Sequence, residues 1–530
     1  MPNSFAYLIF YSWPLVAYII FRKQPLVPAL VWSIVLGYIL LPSRVGLDLP
    51  AFPAIGKFEI TSISAAIMCF IAAREDGRSK RWEAPPATQN GAKPRRSRLV
   101  WIVRILLLTI IISPLLTVLN NPDPIVAGPV IINGLRLYDG FSVIGAAVFM
   151  ILPFVLGHRF LNTTESHVIL LKVMCYAMLG YSLLALWEVR MSPQLNRMIY
   201  GFFPHSFLQH MRSDGFRPLV FFGHGLSLGI FLSMSVLSTI ALWRHLKDGA
   251  AKATVWLVFI GWLLLILVLS KNVGALMITL ALMPFAILMR ARGQLIFAAT
   301  LSTVVLLYPM LRGAGYVPTD EIHAFVLERD AERAQSLKFR LDNEDSLLEK
   351  ASQKPVSGWG TWGRNHVYDE DTGRSLSVTD GMWVIIIGVF GWLGYIARFG
   401  LLTIPIILLA LSRRRLDIGV ATSGLSLVLS ANLVDLLPNA ALSPVTWLLA
   451  GALMGRCAHA SETTLQARKD QRPIAGVKDQ VPIPTVESPV MTRKHRAGTS
   501  SPPVSETTAS ETYPVLEKPF LKKRKKRQGR

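Results

Sequence analysis

Residues 254–289 read TVWLVFIGWLLLILVLSKNVGALMITLALMPFAILM. Two apolar runs, 254–270 and 273–289, meet at a Ser-Lys-Asn turn, and Lys271 is the single charged residue in the stretch. A helix crosses the roughly 30 Å hydrocarbon core of a bilayer with about 20 apolar residues. The stretch therefore reads as a helical hairpin set in lipid, with Lys271 at its turn.

Working outward, eleven further runs of comparable length lie near residues 4–21, 25–42, 59–73, 99–119, 141–157, 167–188, 219–243, 295–311, 389–411, 416–436 and 440–455. Composition agrees. The mean hydropathy is +0.43, and 52% of the 530 residues are hydrophobic against 17% charged, too apolar a balance for ordinary globular domains in water. The fold expected is an all-α polytopic membrane protein of about 12–13 transmembrane helices, with a large periplasmic loop domain near 312–388. The run from Phe5 to Phe21 is followed by Arg22 and Lys23 rather than by a small-residue cleavage site, so it reads as a first span and not a signal peptide. Cys69, Cys175 and Cys457 all fall in or at the end of apolar runs without metal-ligand spacing, as packing residues would.

The net charge of +22 is distributed in short clusters between the apolar runs and in the tail. Placing the N-terminus outside puts Arg22/Lys23, Arg74 to Arg98, His158/Arg159, Arg244 to Lys252, Arg290/Arg292, Arg413 to Arg415 and the tail together on the cytoplasmic side. That is the positive-inside pattern of a multi-pass membrane protein. It leaves residues 120–140, 189–218 and 312–388 outside. The last segment opens on a helical-looking acidic piece and passes through a loop rich in Gly and aromatic residues. After it, residues 381–388 read as a short interfacial helix preceding a span from about Val389. Three regions result: N-terminal transmembrane helices over 1–198, a core over 199–456 that includes 312–388, and a disordered basic cytoplasmic tail over 457–530. The tail ends in KPFLKKRKKRQGR and is expected on anionic lipid headgroups, at about 1 kcal/mol per basic residue, rather than on nucleic acid. There is no Walker loop, no dinucleotide fingerprint, no His/Glu metal motif and no internal repeat, so ATP-driven transport and cofactor redox chemistry have no support.

Ionisable residues at the mouth of a membrane bundle are the first candidates for function. In chain order they stand in RSDGFRPLVFFGHGLSLG (212–229), LSKNVGALM (269–277), FRLDNEDSLLEKASQKPVSGWG (339–360), TDGMW (379–383) and GVFGWLG (388–394). This series resembles the O-antigen polymerase and O-antigen ligase family of bacterial envelope glycosyltransferases over about residues 200–411. The residues that match are Arg212 with Gly215 and His224, Ser270 and Lys271 with Gly274, Arg340 with Pro355, Gly358 and Gly360, and Asp380 with Gly391 and Gly394. Two positions depart from the family pattern: Gly225 stands where a Pro usually follows the His, and Gly381 where an Asn usually follows the acidic residue. Asp380 occupies the position where ligases tend to carry His, which tilts the reading toward a polymerase.

The resemblance implies a polyprenyl-diphosphate-linked oligosaccharide as donor, membrane lipids as surroundings, and a chain-length regulator and a flippase as partners. No nucleic acid, metal or cofactor is called for. Arginine offers a planar fork suited to phosphate and lysine a point charge. Arg212, Arg217, Lys271 and Arg340 are thus expected to bind the diphosphate. Asp380, then Glu349 and His224, are expected to take the proton of the acceptor hydroxyl. Each residue has an ordinary structural alternative: snorkelling for Arg212 and Arg217, a helix C-terminal cap for Lys271, a surface ion pair for Arg340, a helix N-cap for Asp380, packing for His224, and a surface position for Glu349. Trp383 reads as an interface-belt aromatic and Arg104 as a polar contact within the bundle. The rival of another class is a flippase or secondary transporter, whose ionisable groups would lie at the bilayer midplane. The rival within the family is a ligase that transfers finished polymer to a lipid A core.

The charge distribution makes a topological prediction. A membrane-impermeant thiol reagent applied to intact spheroplasts should label Ser336→Cys and leave Ser500→Cys unlabelled. The opposite labelling pattern would invert the orientation.

Overall fold

The structure is a computed structural model that describes residues 1–48, 53–79, 98–212, 215–246, 250–414, 416 and 418–470. Most of the basic stretch ending at Arg98, the Ser213-Asp214 pair, Arg415 and the tail beyond Asp470 lie outside the described residues. The chain is built from helices α1 (Ser4–Lys23), α2 (Leu26–Leu40), α3 (Lys57–Ser79), α4 (Arg98–Leu119), α5 (Leu137–Phe160), α6 (Thr164–Met191), α7 (Leu195–Tyr200), α8 (Gly225–Leu246), α9 (Ala250–Leu269), α10 (Val273–Leu288), α11 (Ala291–Gly313), α12 (Thr319–Leu327), α13 (Ala331–Ser352), α14 (Met382–Ser412), α15 (Val420–Asp435) and α16 (Pro444–Asp470). Two small antiparallel hairpins interrupt the helices: β1 (Ile125–Ala127) with β2 (Val130–Ile132), and β3 (Met211–Arg212) with β4 (Gly215–Phe216).

Each of the thirteen expected runs falls on a helix. Among the described residues seven helices are long and apolar enough to cross a membrane, and four shorter ones, beginning at Leu26, Ala253, Val273 and Val420, are apolar as well. The architecture is that of an all-α multi-pass membrane protein. The core centres on α8, in which every residue from Leu228 to Leu242 is buried. A helix apolar on all sides must be enclosed by other helices, and α6, α9, α10 and α15 pack around this one. Its small polar residues stay inside the bundle because their hydroxyls donate to carbonyls one turn back, Ser238 to Met234 at 2.7 Å and Thr239 to Ser235 at 2.7 Å.

Three expectations are corrected. Residues 219–224 belong to a buried loop and not to a span, because the amides of Leu219 and Val220 bond to the Glu188 carboxylate instead of to helix carbonyls. Trp383 is fully buried and packs edge-on against Tyr308 at 5.3 Å, so it is a core residue and not part of an aromatic belt. Arg104 lies exposed on α4 near the Trp101 ring, 5.6 Å away, and not within the bundle. In addition, the chain stays helical to Asp470, past the boundary expected at 457.

The segment between α11 and α14 is pinned to the bundle end through a break in α14. Gly391 has φ 67° and ψ −173°, a region open to glycine almost alone. The groups freed by the break bond to residues 355–360: Trp359 N–H donates to Gly388 O at 2.8 Å, Gly360 N–H to Val389 O at 3.0 Å, and Trp392 N–H to Pro355 O at 2.7 Å. From the other side α4 contributes Thr117, whose hydroxyl donates to Ser357 O at 2.6 Å, and Asn121, whose amide donates to Gly358 O at 2.9 Å. Arg364, 2% exposed, donates to the carbonyls of Trp359, Asn133 and Asp123 and so ties the segment to the loops around the first hairpin.

A Cβ on Gly391 would meet Val356 O and Pro355 O, whereas one on Gly274 would meet nothing within 4 Å. Gly391→Ala should therefore destabilise the purified protein by about 1–3 kcal/mol from the backbone alone, with more from the clash. Gly274→Ala should be neutral or stabilising by up to about 1 kcal/mol. Thermal unfolding in detergent compares the two.

Candidate functional site

The loop between α6 and α8 starts from a carboxylate. Glu188 is fully buried near the end of α6, where its Oε2 accepts the Leu219 and Val220 amides at 2.8 and 2.7 Å and its Oε1 the Leu195 amide at 3.0 Å. The Tyr181 hydroxyl accepts the Phe221 amide at 2.9 Å, and Lys57 donates to Phe221 O at 3.3 Å. These bonds hold Val220 at φ 52°, a costly conformation for a β-branched residue that persists only where its surroundings enforce it. Arg217 and His224 flank the fixed turn.

Ahead of the turn, β3 and β4 pair Arg212 with Gly215, and the Arg217 amide extends the hairpin by donating to His210 O at 2.8 Å. The Gly225 amide donates to His210 Nε2 at 3.3 Å, while His210 Nδ1 donates to Ser206 O at 3.0 Å. This accounts for Gly225 in physical terms. A proline at 225 would have no N–H for His210, and a Cβ there would collide with the side chain of Arg217 and with Pro218 O.

A cavity of about 610 Å³ opens beside this loop, lined among others by Arg212, Arg217, His224, Arg340, Asp380 and Asn439. Five of the residues singled out from the sequence thus share one cavity. Arg340 reaches across from α13, its Nε 3.6 Å from Asp380 Oδ2. Asp380 is not the cap of α14: the capping position is Gly381, with no side-chain cap bond. Burial first, and then the charges of Arg212 and Arg340, pull the Arg217 guanidinium down to about 10. Its Nε is buried with no hydrogen-bond partner among the described residues. Three guanidinium groups therefore converge on a space lined, among the described residues, by one carboxylate.

The remaining candidates are placed differently. His224 Nδ1 accepts the Leu226 amide at 3.0 Å and its Nε2–H points to Gln209 Oε1 at 3.4 Å. Burial above all, with His210, His205, Arg217 and Arg212 nearby, holds its imidazole down to about 3. It is a neutral ring whose lone pair is already engaged. Lys271, at φ 55°, lies behind the hairpin, its Nζ 3.3 Å from where a Cβ on Gly215 would stand, and does not line the cavity. Glu349 lines a separate cavity with Arg312 and Asp345. Nine residues beyond Arg340 on one helix is a rotation to roughly the opposite face.

Sequence reasoning missed four features. His205, His210 and His224 form a ring cluster with centroids 4.7–6.3 Å apart, and three of the chain's ten histidines within twenty residues was the available signal. Glu344, one turn from Arg340 and beside Tyr308, Trp383 and Arg312, has its carboxyl pushed up to about 7, chiefly by burial. Asn439 faces the cavity with its amide held by Asp435 at 2.9 Å. Arg398 stands buried inside α14. Among known proteins, no family model matches the chain and no curated protein is significantly similar to it.

Removing the charge of Glu188 leaves backbone donors facing an amide. Since hydrogen bonds to charged groups contribute about 1.5–3 kcal/mol each, Glu188→Gln should lower the unfolding midpoint by several degrees. Glu165→Gln, at the exposed start of the same helix, should change it little.

Proposed function

We propose that this cavity is the transfer site of a glycosyltransferase that polymerises polyprenyl-diphosphate-linked oligosaccharides on the outer face of a bacterial inner membrane. The observation that carries the reading is the convergence of Arg212, Arg217 and Arg340 on a space whose lining, among the described residues, includes one carboxylate, Asp380. Gathering like charges in a half-buried cavity is unfavourable until an anion enters it. A diphosphate supplies two or more negative charges, and guanidinium forks match its oxygens.

In the reaction the acceptor hydroxyl attacks the anomeric carbon while Asp380 takes its proton. The electron pair of the breaking glycosidic bond leaves with the lipid diphosphate, whose growing charge the arginines stabilise. Attack in line with departure inverts the anomeric centre. Asp380 fits the base role better than its rivals, because the His224 lone pair is engaged and Glu349 faces another cavity. Asn439, its amide N–H turned to Asp435, keeps its carbonyl for a sugar hydroxyl.

The test is polymer made in a deletion strain, normalised to inserted protein. Arg340→Ala and Asp380→Asn should each cost about 2–4 kcal/mol of transition-state stabilisation, and Arg217→Lys should already impair function because a point charge cannot replace a fork. Glu349→Gln should leave polymer near wild type. Because Arg340 and Asp380 are paired, their double variant should lose less than the sum of the singles. Normal polymer from both Arg340→Ala and Asp380→Asn would sink the site. Accumulation of finished polymer on its lipid carrier when the gene is deleted would point to a ligase instead.

A further inference from the structure

A second cavity, of about 560 Å³, lies among α3, α5, α14 and α16. Its walls are apolar, including Phe58, Ala147, Met150, Ile386 and Trp447. One wall group does not belong there on packing grounds. Arg398 is 3% exposed, within an otherwise apolar helix, and among the described residues no carboxylate lies within ion-pair distance of it. Its Nη1 makes two long contacts, to Ser113 Oγ and Gly394 O, both at 3.5 Å, and its guanidinium stacks on Phe390 at 3.8 Å. Nε and Nη2 donate to no acceptor among the described residues. The Thr361 hydroxyl, on the same cavity, is buried and likewise without a partner. An enclosed cation with open donors is costly unless a counter-charge visits it.

We propose that this cavity binds one anionic phospholipid, its phosphate on Arg398 and Thr361 and its acyl chains on the apolar walls. The depth suits a headgroup: Ser113, beside the guanidinium, is six residues from the end of α4, about 9 Å below that end of the bundle. The charge selects a phosphate lipid over a bare hydrocarbon chain, which would leave the guanidinium unpaired. Glu59, the carboxylate on the wall, is turned to its own helix start, its Oε2 accepting the Gly56 amide at 3.0 Å. The size lies within the range of about 300–1,000 Å³ usual for ligand pockets. The inference is independent of the transfer reaction, since it concerns binding alone.

The test is native mass spectrometry of the full-length protein, delipidated in detergent and then offered phosphatidylglycerol, diacylglycerol or polyprenyl phosphate. Wild type should retain one phosphatidylglycerol and no diacylglycerol. Arg398→Gln, which removes the charge, and Ala146→Phe, which fills the cavity, should each weaken retention at least tenfold. Ala146→Phe should keep its unfolding midpoint, so it decides the matter if Arg398→Gln does not fold. Equal retention in wild type and the folded variants would overturn the proposal, as would diacylglycerol binding as well as phosphatidylglycerol. Preferential uptake of polyprenyl phosphate would overturn the phospholipid assignment.

Discussion

Glu188 has no exposed surface, and a carboxylate so placed is stable only while its oxygens are hydrogen-bonded. Three backbone amides satisfy them, and two of the three come from the turn that carries Val220 at positive φ. The dependence is mutual. Without the carboxylate the Leu219 and Val220 amides would lose their acceptor, and the bend between Arg217 and His224 would lose two of its ties. With it, Arg217 is aimed into the cavity from one side of the turn while His224 closes the other, and His210 locks onto the amide that starts α8.

A second constraint fixes the opposite wall. Arg340 and Asp380 sit on separate elements, α13 and the approach to α14, whose relative position follows from how 355–360 docks into the break at Gly391. The glycines and the proline that carried the family resemblance thus have a mechanical explanation in this chain. Pro355, Gly358 and Gly360 on one side and Gly391 on the other are two halves of one joint, with Thr117 and Asn121 of α4 closing it from behind. The spacing between the motifs is the length of chain needed to run from the cavity wall into the joint and back.

What was legible in the sequence follows from which forces act locally. Lipid demands long apolar runs, so every helix of the bundle announced itself, and the clusters of Lys and Arg between runs did the same for the loops. Residues 219–224 were misread because hydropathy counts side chains and is blind to where an amide hydrogen points. Glu349 was named and Glu344 was not considered, although helical phase alone puts Glu344 on the Arg340 face, one turn away, and Glu349 on the far face. The histidine cluster was signalled by three histidines within twenty residues, whereas the place of Asn439 on the cavity was not legible, because it depends on elements far apart in the chain. Arg398 was visible as a charge within an apolar run, but its lack of a partner appears only once neighbouring helices are in place.

The two cavities are lined by neighbouring stretches of chain, Asp380 and Ala441 on one and Met382, Leu442 and Ser443 on the other. They hold cations in different electrostatic settings. In the larger, Arg212 and Arg217 face partly open space, where water screens their repulsion. In the smaller, Arg398 sits in an apolar wall where screening is weak, so the same charge binds a counter-ion more tenaciously. A ligand held there would stiffen the approach to α14 on which Asp380 stands. Shape at the candidate site is then set from two directions, by Glu188 within the protein and by whatever neutralises Arg398.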